Sequence, residues 1–251
     1  MPRSWRLVDS GLVSPPVSAA LDEAILDAHL AGEVPNTLHF YIRSAPTISI
    51  GYFQRVSESV DIAECERRGV ALVRRMSGGS SIYTDPGQLI YGFVVREEDL
   101  PGDRTESFRP VCQAIAEAVG SFGVEARYRP VNDVEVGGRK ISGSAQLRRK
   151  GSVLQHGTIL VDTDLDLMDA VLRVGGGSRG VISRPSERVT TLRALLGDPP
   201  DMDLVKGAFA FSLGEALDAN FSASCLSPRE DQLVSKLLAE RYSKKEWNFK
   251  F

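Results

Sequence analysis

The sequence predicts an α+β fold in which helices pack on a sheet that contains hairpins. Apolar residues recur at helical spacing near the start of the chain, and they alternate with polar residues in several short runs. The middle of the chain has the pattern of a β-meander, and the last third returns to helical spacing. Because few strand–helix–strand units occur, these patterns disfavour a doubly wound parallel sheet.

The first half alternates between helices and strands. Residues 18–31 place Leu21, Ala24 and Ala28 at helical spacing, and residues 37–43 alternate as a strand does. The other predicted elements here are strands over 47–50, 70–75 and 88–95, a short helix over 61–69, and a helix from Phe108 that ends near Gly123.

The second half begins with the meander and ends in helices. Gly137 and Gly138 can adopt the positive φ of a tight turn, so the segments on either side predict a hairpin, and Lys150-Gly151 turns the chain again. Helices are predicted over 164–172, 189–196, 201–218 and 228–241, the last with a capping box at Ser227. The glycine-rich run 175–180 predicts a mobile loop. Without a convincing linker, residues 1–251 are expected to form one domain.

Composition narrows the class of protein. Of 251 residues, 42% are hydrophobic and 25% are charged, which is typical of a globular protein and argues against disorder. The net charge of -3 and the lack of a dense basic stretch argue against nucleic-acid binding. Cys65, Cys112 and Cys225 are far apart, as expected for reduced thiols. No signal peptide or membrane span is indicated, so we expect a cytoplasmic protein.

One candidate site segment is RRMSGGSSIYTD, residues 74–85, where glycine-rich polar sequence follows a strand. Small residues allow the backbone to approach a ligand, and their N–H groups can form an anion-binding nest. The two arginines could balance phosphate or carboxylate charge. A plain turn explains the same run equally simply. The candidate ligand-binding residues are Arg74, Arg75, Ser77, Gly78, Gly79, Ser80 and Tyr83.

A second candidate segment is NDVEVGGRKISGSAQ, residues 132–146, followed by QHGTILVD, residues 155–162. Lys140 precedes a patch of small residues, and such a lysine can stabilise charge on an acyl phosphate; alternatively it is an exposed lysine on a sheet. His156 is either functional or a core histidine, and Asp133 either helps to hold Mg²⁺ or belongs to a turn. The other candidate residues are Asn132, Ser142, Gly143, Ser144, Gly157 and Thr158.

These segments resemble the motifs of one family. The first resembles the RRxxGGGxVxHD motif of the lipoate–protein ligase A family, and the second its ND…GxKxSGxA segment. QHGTILVDTDLD is similar to the family's HHGTLL…DLD continuation, and SRGVISRPSERVTTL, residues 178–192, to its KGxxSxRxRVxNL segment. The motifs occur in the family's order and spacing from about residue 5 to residue 249, including ERYSKKEWN near the end.

The resemblance implies a fold, an activity and partners. The fold would be a mixed, largely antiparallel sheet flanked by helices, shared with biotin ligases. The activity would be ATP- and Mg²⁺-dependent conversion of lipoate to lipoyl-AMP, followed by transfer to a lysine of an acceptor. The acceptor would be an E2 lipoyl domain of a 2-oxoacid dehydrogenase or the glycine cleavage H protein. Because the sequence ends after the catalytic domain, a small accessory ligase subunit is also expected.

The resemblance also implies roles for individual residues. Lys140 matches the family's lysine that contacts the activated carbonyl and phosphate, and Asn132 and Asp133 match the pair near the adenylate and the metal. Arg74 and the Ser77–Gly79 loop match the residues that line the lipoyl and phosphate groups, and residues 175–188 match a segment that covers the adenylate. The sequence departs from the motif at Ser80, which replaces the third glycine, and at Thr84, which replaces a histidine, and Pro86 and Gln88 also stand where the family usually differs.

Two alternatives to the ligase remain open. One is an octanoyl- or lipoyl-transferase of the same superfamily, which forms a thioester on a cysteine shortly before the GRKxxGSAQ element; here that stretch is RPVNDVEV, without cysteine. The other is a paralogue that binds lipoate or a carrier domain without activating it, which Ser80 and Thr84 would favour. The GRGRxGR-type loop of biotin ligases is absent from the sequence.

Overall fold

A computed structural model describes residues 2–173 and 184–251, and its main feature is an eight-stranded mixed sheet. The strands of the described chain are β1 (Arg3–Val13), β2 (Thr37–Arg43), β3 (Thr47–Ile50), β4 (Ala71–Arg74), β5 (Ile82–Thr84), β6 (Gln88–Arg96), β7 (Ala126–Arg129), β8 (Asp133–Val136), β9 (Arg139–Arg149), β10 (Ser152–Leu160) and β11 (Ala219–Ser224). The large sheet has the order β11-β1-β2-β6-β10-β9-β8-β7, and a small sheet has the order β4-β3-β5.

Helices flank the sheets. They are α1 (Pro15–Leu30), α2 (Val56–Ser59), α3 (Ile62–Arg68), α4 (Arg109–Gly120), α5 (Leu165–Val171), α6 (Leu192–Leu196), α7 (Met202–Leu217), α8 (Pro228–Leu237) and α9 (Lys245–Asn248). Helix α1 contacts α8, the small sheet at β4, and the large sheet at β6 and β10, whereas α4 packs against α7. Because α1 lies between neighbours on several sides, even its polar residues Asp22, Glu23 and His29 are buried.

The pairing of the strands confirms the α+β prediction. Strand β1 runs parallel to β2 and β11, and the other pairs of the large sheet are antiparallel. One core cluster contains residues of both sheets and of α4 and α7, among them Phe40, Ile48, Ile115 and Phe209. No helix in the described residues is both long and apolar enough to cross a membrane.

Most predicted elements of the first half and the meander are present, but four strands and two short helices were not predicted. They are strands β1, β5, β7 and β11 and helices α2 and α9. In β1 the buried Arg6 interrupts the apolar alternation, and the register shifts between Asp9 and Leu12. The predicted helix over 189–196 is wrong at its start, because Val189 forms a β-bridge with Lys140 and Thr191 caps a helix, α6, that begins only at Leu192.

The register of the large sheet places five residues in one row across its face. Tyr41 pairs with Ile90, Ile90 with Thr158, Thr158 with Gly143, and Gly143 with Asp133. Directly paired residues point to the same face of a sheet. This row therefore crosses from β2 to β8 on one face of the large sheet.

Candidate functional site

A cavity of about 420 Å³ lies over this row of the large sheet. Its walls come from α1, from strands β2, β6, β9 and β10, and from the glycine-rich loop that follows β4. Eleven of the residues predicted from sequence line it: Arg75, Gly78, Gly79, Ser80, Asn132, Lys140, Gly143, Ser144, His156, Gly157 and Thr158. Two segments far apart in sequence thus meet at one cavity.

Lys140 lies at the β9 end of the cavity and is held by a carboxylate. Its Nζ is 2.6 Å from Oδ1 of Asp133, whose Oδ2 accepts from Arg129 at 2.6 Å. The lysine side chain lies across Gly143, where a Cβ atom would overlap its Cε and Nζ. The glycine is therefore needed for this path of the lysine, whose side chain is 34% exposed.

The same geometry bears on the predicted Mg²⁺ site at Asp133. The two carboxylate oxygens face the cations Lys140 and Arg129. Within the described ranges no group of three or more His, Cys, Asp or Glu side chains is arranged to hold a metal ion. The residues around Asp133 therefore do not fit a Mg²⁺ ligand set, and we derive no step through a metal.

Arg75 shapes the glycine-rich loop. Its guanidinium donates to the carbonyl oxygens of Gly78 at 2.7 Å, Ser80 at 2.8 Å and Ser49 at 2.8 Å. Gly79 has φ +94°, and a Cβ on Gly51 would overlap the Gly79 carbonyl. The loop therefore packs closely against the end of β3, and Arg75 holds its carbonyl groups in place.

His156 is held between two side chains at the wall of the cavity. Its Nδ1 is 2.6 Å from Oδ2 of Asp22, and its Nε2 is 2.6 Å from Oγ of Ser77. Arg75 Nε donates to the same hydroxyl at 3.1 Å. A carboxylate only accepts, so Nδ1 carries a hydrogen. Ser77 is fully buried and does not line the cavity, so it contacts the imidazole from behind.

The β2 end of the cavity is polar, and its residues were not predicted. Arg43 donates from Nε to Ser18 Oγ at 2.9 Å and from Nη1 to Thr84 Oγ1 at 2.7 Å. Tyr41 lies beside it, and its hydroxyl donates to Asp22 at 3.4 Å. Thr84, which replaces the histidine of the resembled motif, thus accepts from a buried arginine.

Four predicted binding residues do not line the cavity. Arg74 is fully buried and donates to backbone carbonyls, including those of Gly51 and Trp247. Tyr83 donates to Asp85 at 3.2 Å, and Ser142 and Ser77 are buried behind the wall. Arg74 therefore joins the C-terminal segment to the loop after β3, a contact that does not place its guanidinium at a ligand. Of the predicted covering segment 175–188, residues 175–183 lie outside the described residues.

The thiols of the described chain are free, and none lines the cavity. Cys112 on α4 lies 3.7 Å from the Oγ of Ser144 and is buried in the core. Burial raises the pKa of the Cys112 thiol to about 11, and burial has the same effect on Cys65. Cys225 is exposed beyond β11, at the opposite edge of the sheet from β8 and β9.

Known proteins similar to this chain carry two kinds of name. The octanoyltransferase LipM of Symbiobacterium thermophilum is 35% identical over 274 aligned positions, covering 100% of both chains. A Thermoplasma acidophilum structure, named a bi-partite lipoate protein ligase and its E2 lipoyl domain, superposes with a TM-score of 0.88 at 31% identity, over 98% of this chain and 96% of that one. A lipoate-protein ligase A bound with ATP superposes at 0.86 and 30% identity, over 98% of each chain.

The similarity to an octanoyltransferase contradicts the ligase prediction. The prediction of an ATP-dependent, AMP-forming enzyme is therefore wrong, and the transferase alternative is better supported. The reason is that GRKISGSAQ resembles the motifs of the transferases as much as those of the ligases, so the sequence pattern does not distinguish an adenylate from a thioester as the acyl donor. ATP is bound in the structure of a similar lipoate-protein ligase A, which says nothing of ATP in this chain. The accessory subunit was predicted from the ligase interpretation.

The similarities extend over nearly the whole chain and agree with the fold. The described sheet and helices match the ligase structures, as the resemblance predicted. Residues 14–214, which contain every residue of the cavity wall, match the lipoyl protein ligase A/B catalytic domain. The chain therefore belongs to the family of lipoyl protein ligase A/B catalytic domains.

Proposed function

We propose that this protein is an octanoyltransferase that moves an octanoyl group from a carrier-protein thioester to a lysine of a lipoyl-acceptor protein. The acceptor would be an E2 lipoyl domain or the glycine cleavage H protein. The observation that carries the proposal is the position of Lys140, at the wall of the cavity, in a chain similar to an octanoyltransferase over its full length.

The chemistry follows from what Lys140 can do for a thioester carbonyl. With the acyl chain in the cavity, the ammonium group donates to the carbonyl oxygen and stabilises the negative charge that develops there. The acceptor amine attacks the carbonyl carbon, a C–N bond forms and the C–S bond breaks. The proton lost by the amine goes to the departing thiolate. Because the thioester is already an activated acyl group, the reaction consumes no nucleotide.

Asp133 and Gly143 keep the lysine in place for this role. Asp133 holds Nζ at 2.6 Å, and the missing Cβ of Gly143 leaves room for the lysine side chain. Asn132 supports the same corner by donating to the Ser144 carbonyl at 2.5 Å. A rigid surround of this kind lowers the cost of bringing the carbonyl and the amine together.

We further propose that the transfer is direct, without an acyl-enzyme on cysteine. A nucleophilic thiol has to reach the acyl carbonyl as a thiolate. In the described residues the thiol nearest to the cavity is Cys112, which is buried behind Ser144 with its pKa raised to about 11. These properties favour a structural role for Cys112 over a nucleophilic one.

The test is to incubate the purified protein with an octanoyl-loaded acyl carrier protein and a lipoyl-acceptor domain, and to follow the mass of the acceptor. We expect octanoylation of the acceptor lysine without ATP. A parallel reaction with free octanoate, ATP and Mg²⁺ should give none. If only this parallel reaction modifies the acceptor, or if neither does, the proposal is wrong.

Variants connect the activity to the site. Lys140→Ala is expected to lower the rate by roughly 10²–10³-fold, the usual cost of losing one donor to a developing oxyanion. Lys236→Ala is the matched control, because Lys236 is an exposed lysine of α8 near Glu240. Equal rates for the two variants would remove Lys140 from the mechanism.

A further inference from the structure

Two buried arginines line the β2 end of the cavity without an acidic partner. Arg43 is 3% exposed and donates to the hydroxyl groups of Ser18 and Thr84. Arg75 is 8% exposed and donates to the Ser77 hydroxyl and to backbone carbonyls. In the described part of the chain neither forms an ion pair, although both keep unused N–H groups.

The two guanidinium groups are close enough to repel each other. Burial, and after it the charge of Arg43, lowers the pKa of Arg75 to about 10. A buried charge without a partner is costly, so an opposite charge that binds beside it relieves part of that cost. The positive charge of the two arginines at the cavity wall favours a ligand with negative charge.

One carboxylate lies nearby, but it does not balance both arginines. Oδ2 of Asp22 is occupied by His156 and receives a long hydrogen bond from Tyr41. Its Oδ1 is buried and has no hydrogen-bond partner in the described residues. Two guanidiniums and one carboxylate leave this end of the cavity with an excess positive charge.

This end lies away from Lys140 along the row across the sheet. Tyr41 is in β2, and Gly143, over which the Lys140 side chain lies, is in β9, three strands further on. At a spacing of about 4.8 Å between strands, the separation is about 14 Å. The cavity can therefore hold an extended medium-chain acyl group with one end at each site.

We propose that the Arg43 end of the cavity binds an anionic group at the far end of the acyl chain, so that the site accepts ω-carboxyacyl groups and binds them more tightly than plain octanoyl. The inference rests on the proposed function only for the placement of the reacting carbonyl at Lys140. Arg43 supplies the charge-assisted hydrogen bonds, since its Nη2 atom makes no bond to the protein in the described residues. Octanoyl, which ends in a methyl group, leaves that charge uncompensated.

The experiment is a calorimetric titration of the purified protein with three probes: octanoate, octanedioate and inorganic phosphate. One carboxylate of each acid stands in for the reacting acyl carbonyl. We expect octanedioate to bind roughly ten- to one-hundredfold more tightly than octanoate, which is the range of one or two hydrogen bonds to a charged group. Equal affinities of the two acids in the wild-type protein would overturn the proposal.

Variants assign the preference to Arg43. Arg43→Met should abolish the preference for octanedioate over octanoate. Arg43→Lys should retain part of that preference, and it keeps the test decisive if the methionine variant fails to fold. Arg193→Met, which removes an exposed arginine paired with Asp162, should leave it unchanged. A preference for octanedioate that survives both Arg43 substitutions would refute the assignment. Phosphate that binds as tightly as octanedioate, and depends on Arg43 in the same way, would also refute it, because the site would then be one for free anions.

The outcome is separable from that of the transfer assay. Binding of octanedioate through Arg43 in a protein that transfers no octanoyl group would support the anion subsite and refute the proposed function. Transfer of octanoyl without any preference for octanedioate would support the proposed function and refute the anion subsite.

Discussion

Nδ1 of His156 lies 2.6 Å from Oδ2 of Asp22, so that a carboxylate on helix α1 orients an imidazole on strand β10. The other ring nitrogen is 2.6 Å from the Ser77 hydroxyl. Both bonds are buried, and together they fix the plane of the ring at the cavity wall. Asp22 is therefore a positioning residue for a side chain that lines the cavity.

Replacing Asp22 by asparagine is expected to lower the octanoyl transfer rate by at least about tenfold, because a neutral amide oxygen holds the Nδ1–H group more weakly than a carboxylate does. The measurement is the pH profile of kcat, which should change in shape while the melting temperature stays near that of the wild type. Asp27→Asn, on the same helix and paired with the half-buried Arg149, is the control. A wild-type profile for Asp22→Asn would contradict the positioning role.

The sequence revealed the parts of the site that interrupt regular elements. Lys140, Gly143 and His156 stood out because they lie among small or polar residues within apolar strands. Asp22 and Arg43 gave no comparable signal. Each occupies a regular position in a helix or strand, where a charged residue usually faces solvent, and only the packing of α1 and the small sheet buries them.

Gly143→Ala tests the path of the Lys140 side chain. The added Cβ would overlap Cε and Nζ of the lysine, which is flexible enough to move aside without unfolding the protein. We expect the ammonium group to leave Asp133 and the transfer rate to fall by at least tenfold, toward that of Lys140→Ala. The measurement is the transfer rate together with the melting temperature, which should fall only slightly.

Gly207→Ala provides the matched glycine substitution. Gly207 is inside helix α7, and a Cβ there would meet nothing within 4 Å. Alanine should stabilise the protein by about 0.5–1 kcal/mol, because glycine loses more backbone entropy in a helix. Wild-type transfer by Gly143→Ala, or equal losses in both variants, would show that the room above Gly143 is not needed for activity.

The strands that were missed form only through their partners. Strand β11 is a short run of small and polar residues, mostly exposed, and its pairing with β1 is what makes it a strand. In β1, Arg6 points inward where the pattern of a strand calls for an apolar residue. Its partner Glu230 is in α8, more than 200 residues away, so no local pattern reveals that this charge is paired.

The Arg6–Glu230 pair predicts a large loss of stability when it is broken. The guanidinium donates to both carboxylate oxygens, at 2.9 and 2.5 Å, and the Glu230 side chain is fully buried. Glu230→Gln leaves a buried arginine without its counter-charge and should cost about 3–5 kcal/mol. Denaturant unfolding measures this. Glu240→Gln, an exposed glutamate near Lys236, should change stability by less than about 0.5 kcal/mol.

The same pair predicts acid sensitivity. Burial alone would raise the pKa of Glu230, but the hydrogen bonds from Arg6 and from Ser227 outweigh it, so the pKa lies below its ordinary value. A lowered folded-state pKa means that the pair stabilises the protein fully above the unfolded-state pKa and loses its effect as the pH falls through the folded-state value. The stability difference between wild type and Glu230→Gln should therefore shrink below about pH 4.5. A constant difference from pH 7 to pH 3 would contradict this.

Cys112→Ser tests whether transfer is direct. The thiol is buried against Ser144 with its pKa raised to about 11, so at neutral pH it is protonated and screened from the cavity. We expect the serine variant to transfer octanoyl at a rate within about threefold of the wild type, because the residue acts only in packing. Mass spectrometry of the wild-type enzyme quenched during turnover should show no octanoyl adduct on Cys112, and iodoacetamide should modify the exposed Cys225 first. An inactive serine variant together with an adduct on Cys112 would establish the covalent route instead, and would require the sheet at Ser144 to open during each turnover.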